Sequence, residues 1–213
     1  MNNQTKVISR ILRGLSDILF QLRKGGFKAA WQLLTSRLYR RSVSLLYFCR
    51  TVASPAPIPP ELTIEVVTAD KASAFHSDLV SAGAVNDLRL FERGATCYLA
   101  RWAGVPVGAG WLFRESYLLE RAGCEPNARY LGAFQVAERA RGKGIYTALL
   151  STMCRDVLKA GNIPYIDTTP GNIASQRGIE KAGFTCLGTL RTTVVLGVIV
   201  RCRLGVLLDS LAP

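Results

Sequence analysis

The hexapeptide Arg139-Ala140-Arg141-Gly142-Lys143-Gly144 puts three cations and two glycines in six residues. Glycine lets a backbone turn through left-handed φ and approach a ligand with no Cβ in the way. The residues after it, 144–160, carry Ile145, Leu149, Met153 and Val157 at the spacing of one helix face. A glycine turn that opens a helix leaves the first helical N–H groups free at the positive end of the dipole. Such a place seats a phosphate or pyrophosphate, and Arg139, Arg141 and Lys143 add charge around it. A bare turn before a helix has the same spelling, so the surroundings must decide. Further on, Asn172-Ile173-Ala174-Ser175 opens a second short helix, which ends in Glu180-Lys181-Ala182-Gly183-Phe184. Asn172 and Ser175 suit a helix cap and a ligand contact equally well.

The elements that must hold these residues alternate between strand and helix. Residues 42–52, with Leu45-Leu46-Tyr47-Phe48, read as a strand, and 54–60, with four prolines, as an extended connector. A strand over 62–67 follows, and Asp70 is placed to cap a helix running into the low eighties. Strands over 96–102 and 105–113 turn at Ala103-Gly104, and another strand covers 129–136. Helix 144–160, strand 163–168, helix 173–182 and two strands over 184–191 and 192–206 complete the chain. This mixture predicts an α/β domain built on one mixed sheet.

The N-terminal stretch differs in kind. Residues 1–41 hold nine basic residues and one acid, Asp17, so most of the net charge of +12 lies there. Val7, Ile8, Ile11, Leu12, Leu15, Ile18, Leu19 and Leu22 follow helical spacing as far as Gly25-Gly26. A second amphipathic helix is expected from Phe27, with Trp31, Leu34 and Leu38 on one side and Lys28, Arg37, Arg40 and Arg41 elsewhere. The division expected is a helical extension over 1–41 and a domain over 42–213. A basic amphipathic helix can lie in the headgroup plane of an anionic membrane. Nucleic acid is disfavoured as a partner, because the excess charge sits on helices with an apolar face and not on an aromatic-studded sheet.

The six cysteines are scattered, none in a C-x-x-C, and the only histidine, His76, has none beside it, so no metal site is expected. Single cysteines and the lack of a signal-peptide pattern lead to the expectation of a cytoplasmic protein, peripheral on the inner face of the membrane. No apolar run approaches the ~18 residues of a membrane span.

The run from Phe134 to Phe184 resembles the GCN5-related N-acetyltransferase (GNAT) family. The family's pyrophosphate loop, Q/R-x-x-G-x-G/A, falls on Arg139, Gly142 and Gly144, its helix-opening asparagine on Asn172, and its E-K-x-G-F ending on Glu180, Lys181, Gly183 and Phe184. The resemblance implies the acyl-CoA N-acyltransferase fold, a mixed and mostly antiparallel sheet flanked by helices. It implies acetyl-coenzyme A as cosubstrate and an amine as acceptor. Coenzyme contacts are then expected from Phe134 and Val136 on the strand before the loop, from Arg139, Arg141, Gly142, Lys143, Gly144 and Ile145, and from Asn172 and Ser175. The backbone N–H near Val136 is the expected oxyanion donor.

The reaction also needs a base for the acceptor ammonium. The candidates are Tyr130, as a relay or as core, and Asp167, as a base or as a turn residue before Pro170. Glu138 reads as solvated, and no motif places His76 in a cleft. Many relatives carry a tyrosine before the E-K pair that protonates the departing thiolate, whereas this chain has Ile179. The proton for the departing thiolate must therefore come from another group or from solvent, or the chain is a non-catalytic acyl-coenzyme A binding module tethered to a membrane or partner. An amino sugar of a cell-envelope glycan is the acceptor that suits a membrane-surface enzyme.

Overall fold

The computed structural model describes residues 39–51, 58–195 and 198–206. The two basic helices expected over residues 1–38 lie outside the described residues. The sheet begins earlier than the sequence suggested, with β1 at Tyr39–Phe48, so Arg40 and Arg41 stand on a strand and not on a helix. Ten residues of pairing with a partner strand outweigh the helical spacing at Leu38 and beyond.

The other strands are β2 (Leu62–Val67), β3 (Thr96–Trp102), β4 (Val105–Phe113), β5 (Ala128–Val136), β6 (Ile163–Thr168), β7 (Thr185–Val195) and β8 (Val198–Val206). The last two divide between Val195 and Val198, not after Arg191 as expected. The helices are α1 (His76–Ser81), α2 (Tyr117–Ala122), α3 (Ile145–Lys159) and α4 (Ile173–Lys181). Asp70 caps none of them. It lies in a short 3-10 turn, Ala69–Lys71, and α1 starts only at His76. α2 was not read from the sequence, since six residues are too few to show a period.

One sheet holds all eight strands in the order β2-β3-β4-β5-β6-β1-β7-β8. Only β5 and β6 pair in parallel. The connection between them is α3, as a parallel pair requires a crossover. β6 and β7 are both antiparallel to β1, so they run in the same direction and need a second crossover, supplied by α4. The sheet is therefore the mixed, mostly antiparallel one expected, with helices on both faces.

Apolar packing assigns the faces. Ile145, Leu149, Met153 and Val157 of α3, at most 3% exposed, join Leu131, Ile166 and Phe184 on the first face. On the opposite face Leu79 of α1 packs with Leu99 and Trp111, and Leu119 of α2 packs with Leu46, Tyr165 and Leu190. Burying each such side chain contributes ~1.5–3 kcal/mol. The sheet is thus held rigid from both sides, which fixes the strands that carry the site.

Candidate active site

β5 makes the site by leaving its neighbour. Ala128, Arg129 and Tyr130 pair with Ile163, Pro164 and Tyr165 of β6, and the pairing stops there, although both strands continue. On its other side β5 stays with β4: Trp111 faces Gly132, Ala109 faces Gln135 and Gly108 faces Val136. Ala133 and Phe134 thus stand against Gly110 alone, which is a β-bulge. Ala133 has φ of 50°, a left-handed conformation that costs a residue with a Cβ ~1–2 kcal/mol. The bulge bends β5 away from β6 and opens a gap between the two strands.

That gap has one edge of bare backbone. Ala137 N–H donates to the Val107 carbonyl at 2.8 Å, on the β4 side. Backbone groups alternate along a strand, so the Val136 N–H faces the gap. The bulge also switches side-chain parity. Tyr130 and Gly132 face the α1/α2 side, whereas Phe134 and Val136 pack with the α3/α4 core. Gly110 has no Cβ because the Phe134 ring lies directly over it.

At the mouth of the gap is the glycine loop. Glu138–Ala140 forms a 3-10 turn. Gly142 and Gly144 then take φ of 79° and 75°, and Gly144 is the N-cap of α3. A Cβ at either glycine would meet no protein atom within 4 Å, so the space above the helix start is open. No acidic side chain lies in the first turn of α3, so its free N–H groups and dipole remain available to an anion. Arg139 donates to the Pro106 carbonyl at 3.1 Å and fixes the loop to β4. Arg141 meets Glu138 only loosely, at 3.7 Å. The Lys143 ammonium lies 4.7 Å from the centre of the Trp102 ring. The Ile145 side chain is 1% exposed and belongs to the core, so Ile145 offers a ligand only its backbone.

Two phenols lie beside the gap on opposite faces of the sheet. Tyr130 donates to an Asp167 carboxylate oxygen at 2.6 Å. Burial raises the Tyr130 pKa well above its ordinary value, and the Asp167 carboxylate and Tyr146 raise it further. Tyr130 therefore stays protonated at neutral pH and orients Asp167. On the α3/α4 side the Tyr146 hydroxyl is 2.8 Å from the Ser175 hydroxyl. Burial raises the Tyr146 pKa, and the Ser175 bond partly opposes it. The Tyr146 ring meets Phe134 edge-on at 5.1 Å, and it lies against Gly178, where any Cβ would be 2.6 Å from it.

The Asn172 side chain accepts from Ser175 N–H at 3.1 Å, so Asn172 caps α4. Ser175 divides its groups: the N–H goes to the cap and the hydroxyl to Tyr146. Ile179 is 0% exposed in the α3/α4 core and presents nothing to the gap. Tyr130 and Asp167 thus stand bonded on the α1/α2 side of the sheet, and Phe134, Tyr146 and Ser175 stand in contact on the α3/α4 side with Val136, while the 139–145 loop follows β5 directly. Tyr146 was missed in the sequence. Its position in the first turn, off the face of Ile145 and Leu149, was the available signal. Among the described residues no three His, Cys, Asp or Glu side chains gather to hold a metal.

A sheet parted beside a glycine-led helix start defines a binder of an extended, phosphate-bearing ligand. The acetyltransferase (GNAT) family matches residues 65–184, more than half of the chain. The chain belongs to that family. It is also similar to a GNAT-family acetyltransferase from Colwellia psychrerythraea, with TM-score 0.52 and 22% identity over 78% of this chain and 60% of that one. A GNAT-family protein from Novosphingobium aromaticivorans gives TM-score 0.52 and 15% identity over 73% of this chain and 64% of that one. The chain thus spans less than two thirds of the length of these two neighbours, and the likeness concerns the fold. No curated protein matches the chain in sequence.

Proposed function

We propose that the chain transfers an acetyl group from acetyl-coenzyme A to an amine. The observation that carries this reading is the parting of β5 from β6 beside the open N-terminus of α3. The coenzyme's pyrophosphate would rest on the N–H groups that follow Gly144, with Arg141 and Lys143 around it. Its pantetheine arm would run along the free edge of β5, where backbone groups can pair with its amides. The Val136 N–H, on the gap side, suits the oxyanion.

The two phenol pairs divide the proton work. The acceptor reacts as its neutral amine: its nitrogen attacks the thioester carbon, and the proton the nitrogen sheds as the amide forms passes to Asp167, held by Tyr130 on the α1/α2 side. As the intermediate collapses, the C–S bond breaks and sulfur keeps the electron pair. Tyr146, on the α3/α4 side, gives its proton to that sulfur and is reprotonated through Ser175 from solvent. This supplies the hydroxyl that Ile179 lacks, and it favours an enzyme over a non-catalytic binding module.

The acceptor we propose is an amino sugar of a cell-envelope glycan, handled at the cytoplasmic face of the membrane. The support is the basic, amphipathic composition of residues 1–38, which suits an anionic lipid surface. The test is release of free thiol from acetyl-coenzyme A over a panel of amines rich in amino sugars. Turnover is expected with an amino sugar, and Tyr146→Phe should lower kcat by ~10-fold or more with coenzyme affinity unchanged. Coenzyme binding without thiol release from any amine would favour the binding module instead.

A further inference from the structure

β1, β7 and β8 lie almost wholly outside the residues that the family matches, and they run past the rest of the sheet. β6 ends at Thr168, opposite Leu45, so residues 39–44 of β1 continue beyond it with β7 and β8 alongside. Register places side chains row by row on this ribbon. Arg41, Thr193 and Arg201 share one row, and Val43, Arg191 and Arg203 share the next row on the same face. The opposite face carries Leu190, Cys202 and Leu204 and is covered by α2.

The first face is open. Arg41, Arg191, Arg201 and Arg203 are all exposed. Among the described residues no carboxylate forms an ion pair with any of the four. Arg191 and Arg203 are directly opposed across the ladder, a like-charge pairing that costs stability unless an anion offsets it. Two apolar side chains stand among them. Tyr39 is 52% exposed, with the Arg41 guanidinium 5.4 Å from its ring centre, and Val43 is 44% exposed. Four arginines interspersed with an aromatic and a β-branched side chain match the headgroup zone of a bilayer, where aromatics anchor and cations meet lipid phosphates. Residues 1–38, with seven basic residues against one acid, lead directly into Tyr39. In the sequence the basic extension thus runs into β1, the strand that carries Arg41.

We propose that this face of the β1-β7-β8 ribbon docks on an anionic lipid surface, so that the membrane holds the folded domain itself and not only the N-terminal segment. The inference builds on the proposed membrane location but is independent of turnover. Two other roles predict different behaviour. Arginines on an open edge strand can serve only to block pairing with another chain. They can also bind the coenzyme's phosphates.

The test is co-sedimentation of the full chain with phosphatidylglycerol and phosphatidylcholine vesicles, with Arg191→Thr/Arg201→Thr/Arg203→Thr beside the wild type. Threonine keeps the strand propensity. Wild type should pellet with phosphatidylglycerol and not with phosphatidylcholine. The triple variant should bind phosphatidylglycerol at least ~30-fold more weakly, about fivefold or less per arginine, with coenzyme A affinity and solubility unchanged. Single Arg203→Thr should show a loss of ~3–5-fold, which serves should the triple variant not fold. Equal vesicle binding by variant and wild type would overturn the proposal. So would aggregation of the variant with vesicle binding intact, or a parallel loss of coenzyme affinity. A wild type that binds heparin or RNA but no vesicle would overturn it as well. Thiol release measured without vesicles separates failure of this proposal from failure of the proposed reaction.

Discussion

Gly142 and Tyr146 each carry a claim at the scale of the residue. Gly142 takes φ of 79°, and a Cβ there would meet no protein atom within 4 Å. Gly142→Val therefore costs the fold chiefly the left-handed strain, at least ~1–2 kcal/mol for a β-branched residue. Its isopropyl group would occupy the space above the start of α3. Calorimetry on the folded variant should show coenzyme A affinity reduced by more than ~10-fold, at least ~1.4 kcal/mol. Unchanged affinity would place the pyrophosphate elsewhere. The loop was legible in the sequence because its glycines and cations are contiguous and stand before a helical period. Tyr146 was not, because its meaning comes from Ser175 and from the missing Cβ of Gly178, which only the fold brings to it. Asp167 and Tyr130 were legible only as separate candidates, since their 2.6 Å bond joins two strands.

Phenol–carboxylate bonds recur between elements. Tyr47 of β1 donates to Glu180 of α4 at 3.5 Å, Tyr98 of β3 to Asp156 of α3 at 3.1 Å, and Tyr165 of β6 to Glu125 at 2.5 Å. Burial is the largest cause raising each phenol's pKa, and the facing carboxylates add to it, with Tyr47 pushed up to about 12. The folded state then holds these protons more tightly than the unfolded chain, whose phenols titrate near 10. Their stabilisation is complete below that pH and is lost as pH rises through the raised values. Thermal melts should show Tm falling by more than ~5 °C between pH 9 and 11, and Tyr98→Phe should flatten the fall. A Tm independent of pH over that range would contradict the assignment. Strands with clear alternation, and α3 and α4, could be read from the sequence. The start of β1 could not, since Tyr39–Arg41 also continue a helical spacing and only pairing with β7 decides it. Of the gap, the sequence offered only the coenzyme contacts that family resemblance placed on Phe134 and Val136, because no sequence period announces a bulge at Ala133.

At the scale of the molecule the sheet has two tasks. Its β2–β6 part, together with α3 and α4, forms the gap, and its β1-β7-β8 ribbon offers a basic face that the family match does not cover. The same strand that anchors the ribbon, β1, pairs with β6 opposite Asp167 through Leu46, so ribbon and gap share one rigid frame. Membrane docking of the ribbon would then hold the gap at a fixed height above the lipid. The account as a whole stands on the gap being the coenzyme site. The most direct measurement is amide hydrogen exchange of the full chain with and without acetyl-coenzyme A. The account predicts slowed exchange at residues 131–136, along the free edge of β5, and at 142–147, across the loop and the start of α3, with the amides of β7 and β8 unchanged. Protection confined to other elements, with 131–136 and 142–147 exchanging as in the free protein, would contradict it.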